Sequence, residues 1–261
     1  MPILRAILRL TRLDSSLLAL LAIFLPLWVR IGNVAQSLSR AVPLLFSFMC
    51  TFVANDLDDL EKDRVNHPDR PLPSGHISPA FATVLYFTCL ALALFSTRHY
   101  VAPGIAFLYY ALIALLISYG HIVDWLPVLK APYVATVTTI PVLIVATLYP
   151  GEGRLYLVAT AVFFLVIGRE LCMDIRDRPG DSISFIHRFR PAPLAVIAFS
   201  LQLVGLLLLA SRTRRAGDIV ALIVMTALLA QSSVYWFKFS RYRLAIILMK
   251  LQWFVGLYFL T

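Results

Sequence analysis

Along residues 14–31, 38–55, 78–97, 100–119, 128–148, 155–172, 192–211, 217–236 and 243–260 the chain is almost wholly apolar. Each run is close to the ~20 residues that a helix needs to cross a bilayer. None shows the strict alternation of a half-buried strand. Breakers separate most of them: Pro71 and Pro73, Gly120, Pro150 and Gly151, Pro179 and Gly180, Pro191 and Pro193. The pattern predicts about nine transmembrane helices, the sixth marginal when taken alone. Ahead of the first run, "MPILRAILRLTR" puts Arg5, Arg9 and Arg12 on one helix face. That stretch reads as an interfacial amphipathic turn leading into an uncleaved first span.

Composition agrees. Of 261 residues 60% are hydrophobic and 14% charged, with mean hydropathy +0.83, against ~45–50% and ~25% in soluble domains. Nothing remains for a sizeable soluble domain, so 1–261 reads as a single transmembrane domain. A net charge of +9 does not point to nucleic acid here, because Lys and Arg in short loops set topology. With the N-terminus in the cytoplasm, fifteen Lys and Arg fall on the cytoplasmic side and seven on the other; Arg212–Arg215 runs against that trend. Cys50, Cys89 and Cys172 have no metal or redox spacing and read as packing residues. No feature demands a protein partner.

Two longer polar connections, about 56–77 and 173–191, follow the second and sixth spans and so share the cytoplasmic face. Ten of the fourteen acids lie in 56–69 and 170–181. Asp56, Asp59 and Asp63 are spaced i, i+3, i+7 and fall within about a 60° arc of a helix, with Asn55 beside it. Asp58 and Glu61 point to the solvent side. Asp174, Asp177 and Asp181 repeat the spacing, with Glu170 one turn deeper. Like charges so placed repel, and hard divalent cations relieve this. Mg²⁺ typically takes one or two carboxylates plus phosphate oxygens. Lys62, Arg64, Arg70, Lys130, Arg176 and Arg178 stand ready for remaining phosphate oxygens. The competing reading is that the acids solvate two loops or balance nearby arginines.

At these residues the chain resembles the UbiA superfamily of intramembrane prenyltransferases. Asn55, Asp56, Asp59 and Asp63 match its first motif, NDxxDxxxD, and "NHPDRPLPSG" at 66–75 resembles the loop after it. Asp174, Asp177, Gly180 and Asp181 match the second, DxxDxxGD, with Arg169 and Glu170 as the "RE" often preceding it. The resemblance implies an all-α, nine-helix bundle around a central cavity capped by two cytoplasmic loops. It implies that Mg²⁺ on the six aspartates holds a prenyl diphosphate. Loss of diphosphate leaves an allylic cation, which an acceptor in the membrane attacks. Asn55, Arg64, Arg70, Lys130 and Arg178 are then diphosphate contacts. Met173 departs from the family, many of whose members carry Lys there, and "SISFIHRFRP" after Asp181 lacks the common continuation. Residues 182–190 are expected to shape the acceptor mouth. The alternatives are a terpene cyclase on the same scaffold and a cation-binding transporter. Carriers tend to place charged coupling sites near the midplane, whereas these acids cluster at one face. Lys250, in mid-span, either pairs with Glu170 or snorkels to an interface, and Asp14 reads as a helix N-cap. The acceptor and the prenyl length are not legible.

Overall fold

The computed structural model describes residues 3–149, 151, 153–178, 189–211 and 213–261. In chain order the helices are α1 Ile3–Leu10, α2 Leu13–Ile31, α3 Val34–Asp58, α4 Leu60–Asn66, α5 Pro79–Tyr100, α6 Pro103–Trp125, α7 Lys130–Leu148, α8 Gly153–Asp177, α9 Pro191–Ala210, α10 Ala216–Phe237 and α11 Tyr242–Gly256. Among the described residues there is no strand, and nine helices are long and apolar enough to cross a membrane. The chain is an integral multi-pass membrane protein.

The element boundaries follow from local chemistry. Asn33 caps α3 by accepting from the Gln36 N–H at 3.0 Å, and Ser78 caps α5 from Phe81 at 3.2 Å, ahead of Pro79. Asp14 is not the cap expected of it. Arg12 takes that place in a left-handed conformation (φ 43°), and Asp14 accepts from the Ser15 N–H inside the first turn. Proline is borne inside α2, α3 and α7, as bilayer helices allow when neighbours re-satisfy the backbone.

Helices α1–α6 form one compact unit and α7–α11 a second. In the first, α3 is the hub and packs against α2, α5 and α6. In the second, α8 packs against α7, α9 and α11. The sixth span is therefore not marginal: α8 runs 25 residues, and its approach to α9 is very close. A Cβ on Gly168 would lie 2.4 Å from the Ala198 carbonyl oxygen, and one on Gly205 would lie 2.8 Å from that of Ala161. Small residues at such crossings let backbones meet where lipid supplies no hydrophobic drive.

The two hub helices are the ones that carry the acids. Both run on past their apolar stretch, α3 to Asp58 and α8 to Asp177. Residues 56–58 and 173–177, expected in polar connections, are thus the last turns of buried helices.

Candidate functional site

A helix C-terminus carries partial negative charge, so acids placed there make the local potential more negative and call for cations. Asp56 and Asp58 end α3, and Asp174 and Asp177 end α8. Asp56 and Asp174 are also buried, at 3% and 5% exposure. A buried carboxylate is strongly penalised unless paired.

In the first unit the pairing is complete. The helix breaks at Asp59, whose backbone (φ −87°, ψ 8°) separates α3 from α4, so the three motif aspartates do not share one uninterrupted helix face. Asp56 and Asp63 instead converge on Arg70. Arg70 Nη1 lies 3.6 Å from Asp56 Oδ1 and makes an ion pair with Asp63 Oδ2. Asp59 turns aside; it accepts from Lys62 Nζ and Asn55 Nδ2, each at 3.1 Å. Burial pushes the Asp63 carboxyl above the ordinary aspartate range; Arg70 opposes that push and Asp56 adds to it. Arg64 sits on the exposed side of α4, paired with Glu61 at 2.8 Å. Asp58 is exposed, and a Cβ on Gly120 would lie 2.7 Å from its Oδ2, so that glycine makes room for it.

The "NHPDRPLPSG" stretch explains why Arg70 is where it is. Successive turns close it: Arg70 N to His67 O, Ser74 N to Arg70 O and Gly75 N to Leu72 O, each at 3.0 Å. Ser74 Oγ donates to the Arg70 carbonyl at 2.6 Å, and Gly75 supplies a left-handed residue (φ 74°). Leu72 and Ile77 bury into a cluster with Ala6, Leu10, Val53 and Ala82, which fixes the loop against α1, α3 and α5.

Sequence reasoning missed one contributor. Arg12 reaches Asp56 Oδ1 with Nη2 at 2.6 Å, and its guanidinium lies 5.0 Å from the Phe52 ring centroid. Its partner is 44 residues away, so no local spacing pointed to it; the only hint was a basic residue at the start of the first span.

In the second unit Lys130, the first residue of α7, donates to Asp174 Oδ1 at 2.5 Å. Arg176 grips Asp177 through Nε and Nη2 at 2.6 and 2.7 Å. Glu170 is buried and ion-paired with Arg169, whose guanidinium carbon stands 4.2 Å from the Trp253 ring centroid. Met173 packs against an apolar cluster that includes Trp236, Ile246 and Met249. Arg178 donates to the Phe189 carbonyl at 2.7 Å. Asp181, Gly180 and residues 182–188 of the expected acceptor mouth lie outside the described residues.

Among the described residues no three Asp, Glu, His or Cys side chains are gathered for a metal. Asp56 and Asp63 nonetheless fit Mg²⁺. They are hard oxygen donors, both buried, and both aimed at one point already held by a positive group, the Arg70 Nη1. Two carboxylates, with phosphate oxygens and water completing the shell, are what Mg²⁺ ordinarily takes.

Comparison with known proteins finds likenesses over most of the chain. The model of the UbiA prenyltransferase family matches residues 15–258. A digeranylgeranylglyceryl phosphate synthase of Methanoculleus marisnigri is 32% identical over 184 residues, 68% of this chain and 64% of the relative. One from Pyrococcus furiosus is 35% identical over 133 residues, 49% of this chain and 46% of the relative. The chain thus spans less than two thirds of the length of these curated relatives. A UbiA homologue from Archaeoglobus fulgidus, solved with GPP and Mg²⁺, shares the fold: TM-score 0.66 at 17% identity, covering 98% of this chain and 99% of that one.

Proposed function

We propose, from the premise that this chain belongs to the UbiA prenyltransferase family, that it transfers a prenyl group from a prenyl diphosphate to an acceptor within the membrane, with Mg²⁺ as cofactor. The observation that carries this reading is the convergence of two buried carboxylates, Asp56 and Asp63, on a single cationic group. Solvating acids would point outward, as Glu61 does.

Asp56, Asp59, Asp63, Asp174, Asp177 and Asp181 are the metal ligands in this proposal. Mg²⁺, when bound, neutralises diphosphate charge and acts as a Lewis acid on the leaving group. Arg70 and Lys130, freed from carboxylates that the metal then compensates, turn to phosphate oxygens. Asn55, Arg64 and Arg178 are further diphosphate contacts. The allylic C–O bond breaks with its electron pair leaving on the diphosphate. An acceptor hydroxyl oxygen forms the new bond to that carbon and gives up its proton to the departing diphosphate. The apolar spans keep water from competing for the allylic cation.

The acceptor is proposed to be a prenylated glyceryl phosphate, on the support of the product named in the relatives above. The functional domain in this reading is 1–261, and both clusters are proposed to contribute to it. The N-terminus and both clusters are assigned to the cytoplasmic side, supported by the fifteen-to-seven distribution of Lys and Arg.

The test is substitution at each cluster in the purified chain. Asp59→Ala and Asp177→Ala are each expected to abolish diphosphate release while the protein stays monodisperse and melts as before. Turnover retained in either contradicts the proposal.

A further inference from the structure

The two compact units repeat one arrangement. In the first, a 19-residue helix, α2, is followed by a 25-residue helix, α3; in the second, α7 and α8 have the same two lengths. In each, a basic residue at the start of the shorter helix is ion-paired with the first aspartate of the motif near the end of the longer one. The pairs are Arg12 with Asp56 and Lys130 with Asp174, each 44 residues apart in sequence. A single shift of 118 residues carries Arg12, Asp56 and Asp59 onto Lys130, Asp174 and Asp177. The duplication therefore reaches beyond the aspartate spacing to the cation that faces it.

We infer that Arg12 is the internal counterpart of Lys130: a positioning residue that holds Asp56 while the first cluster is metal-free and yields it when a divalent cation arrives. This rests on the metal-binding reading of the cluster. Asp56 is buried at a helix C-terminus, so it requires a positive partner in every state. Arg12 is built to supply one. Its left-handed backbone, uncommon outside glycine, turns the chain between α1 and α2. Its guanidinium is seated on Phe52. The helix before it is pinned, with Ala6 and Leu10 fully buried against Val53, Leu72, Ile77 and Ala82. Arg9 adds a second tie to the same loop, 3.2 Å from Asp69. A guanidinium on a metal ligand competes with the metal, and this gives the inference a sign that a merely structural arginine lacks.

The experiment measures Mn²⁺ binding to the purified full chain by electron paramagnetic resonance, without prenyl substrate. Arg12→Gln is expected to bind Mn²⁺ about tenfold more tightly, the scale of one lost charge-assisted hydrogen bond. Lys130→Gln is expected to shift in the same direction, and Arg12→Lys to stay near the unsubstituted chain because it keeps the charge. Affinity unchanged or weakened in Arg12→Gln overturns the inference while leaving the metal site standing. Should Arg12→Gln not fold, Arg12→Lys and Lys130→Gln decide: tightening in the former, or its absence in the latter, overturns it. No Mn²⁺ binding by the unsubstituted chain overturns the metal-binding reading as well.

Discussion

Asp56 is buried on the last turn of α3 within reach of both Arg12 and Arg70, whereas Asp59, three residues on, is about one third exposed and faces Lys62. Asp56 and Asp63 are the pair that converges on Arg70. Asp56→Asn and Asp63→Asn are each expected to lower turnover by roughly 10²- to 10³-fold, the usual cost of removing one preorganised electrostatic group. The initial rate of diphosphate release at saturating Mg²⁺ checks this; a loss below tenfold at both positions would contradict the assignment. Glu170 has a different part: it is buried beside Arg169, which stacks on Trp253. Arg169→Met strands that carboxylate and should destabilise the protein by ~3–5 kcal/mol, read as a lowered melting midpoint in detergent. At this scale the sequence showed which residues are acidic and how they repeat. It could not show that Asp59 would turn away or that Arg12 would arrive, since the first depends on a helix break and the second on a contact 44 residues distant.

Among elements, α3 and α8 do the positioning, because each is the buried hub of its unit and ends in a cluster of acids. Hydrophobic periodicity located all nine long helices to within a few residues at most ends. It set α3 and α8 too short, because their last turns are charged and an apolar count stops where charge begins. The polar residues there are helical through burial against neighbours, which a window of hydropathy does not see. Close packing of α8 on α9 leads to a test. Gly168→Ala puts a methyl group 2.4 Å from the Ala198 carbonyl oxygen and 2.6 Å from Gln202 Cγ. One helix must move, at a cost of ~1–3 kcal/mol, and Asp174 lies further along the same helix. Both the melting midpoint and the rate of diphosphate release should fall. Gly104→Ala, which meets nothing within 4 Å, should leave both unchanged.

For the whole molecule, the sum of apolar spans and basic loops gave the membrane class and an orientation. The three cysteines are buried and unpaired with one another, so engineered cysteines can be read against a quiet background. Glu61→Cys is expected to react with an impermeant maleimide only from the cytoplasmic side, and Ser211→Cys only from the opposite side; the reverse pattern would invert the topology. Acceptor choice was not legible in the sequence, because it depends on side chains brought together from distant helices and not on any contiguous motif. Prenyl transfer to an acceptor is itself measurable. Purified chain in lipid nanodiscs, with Mg²⁺ and prenyl diphosphates of several lengths, is given a prenylated glyceryl phosphate. Released diphosphate and prenylated product are then quantified together by mass. The account predicts one product molecule per diphosphate released, and neither without Mg²⁺. Diphosphate release at the same rate without the acceptor, yielding a hydrocarbon, would contradict it.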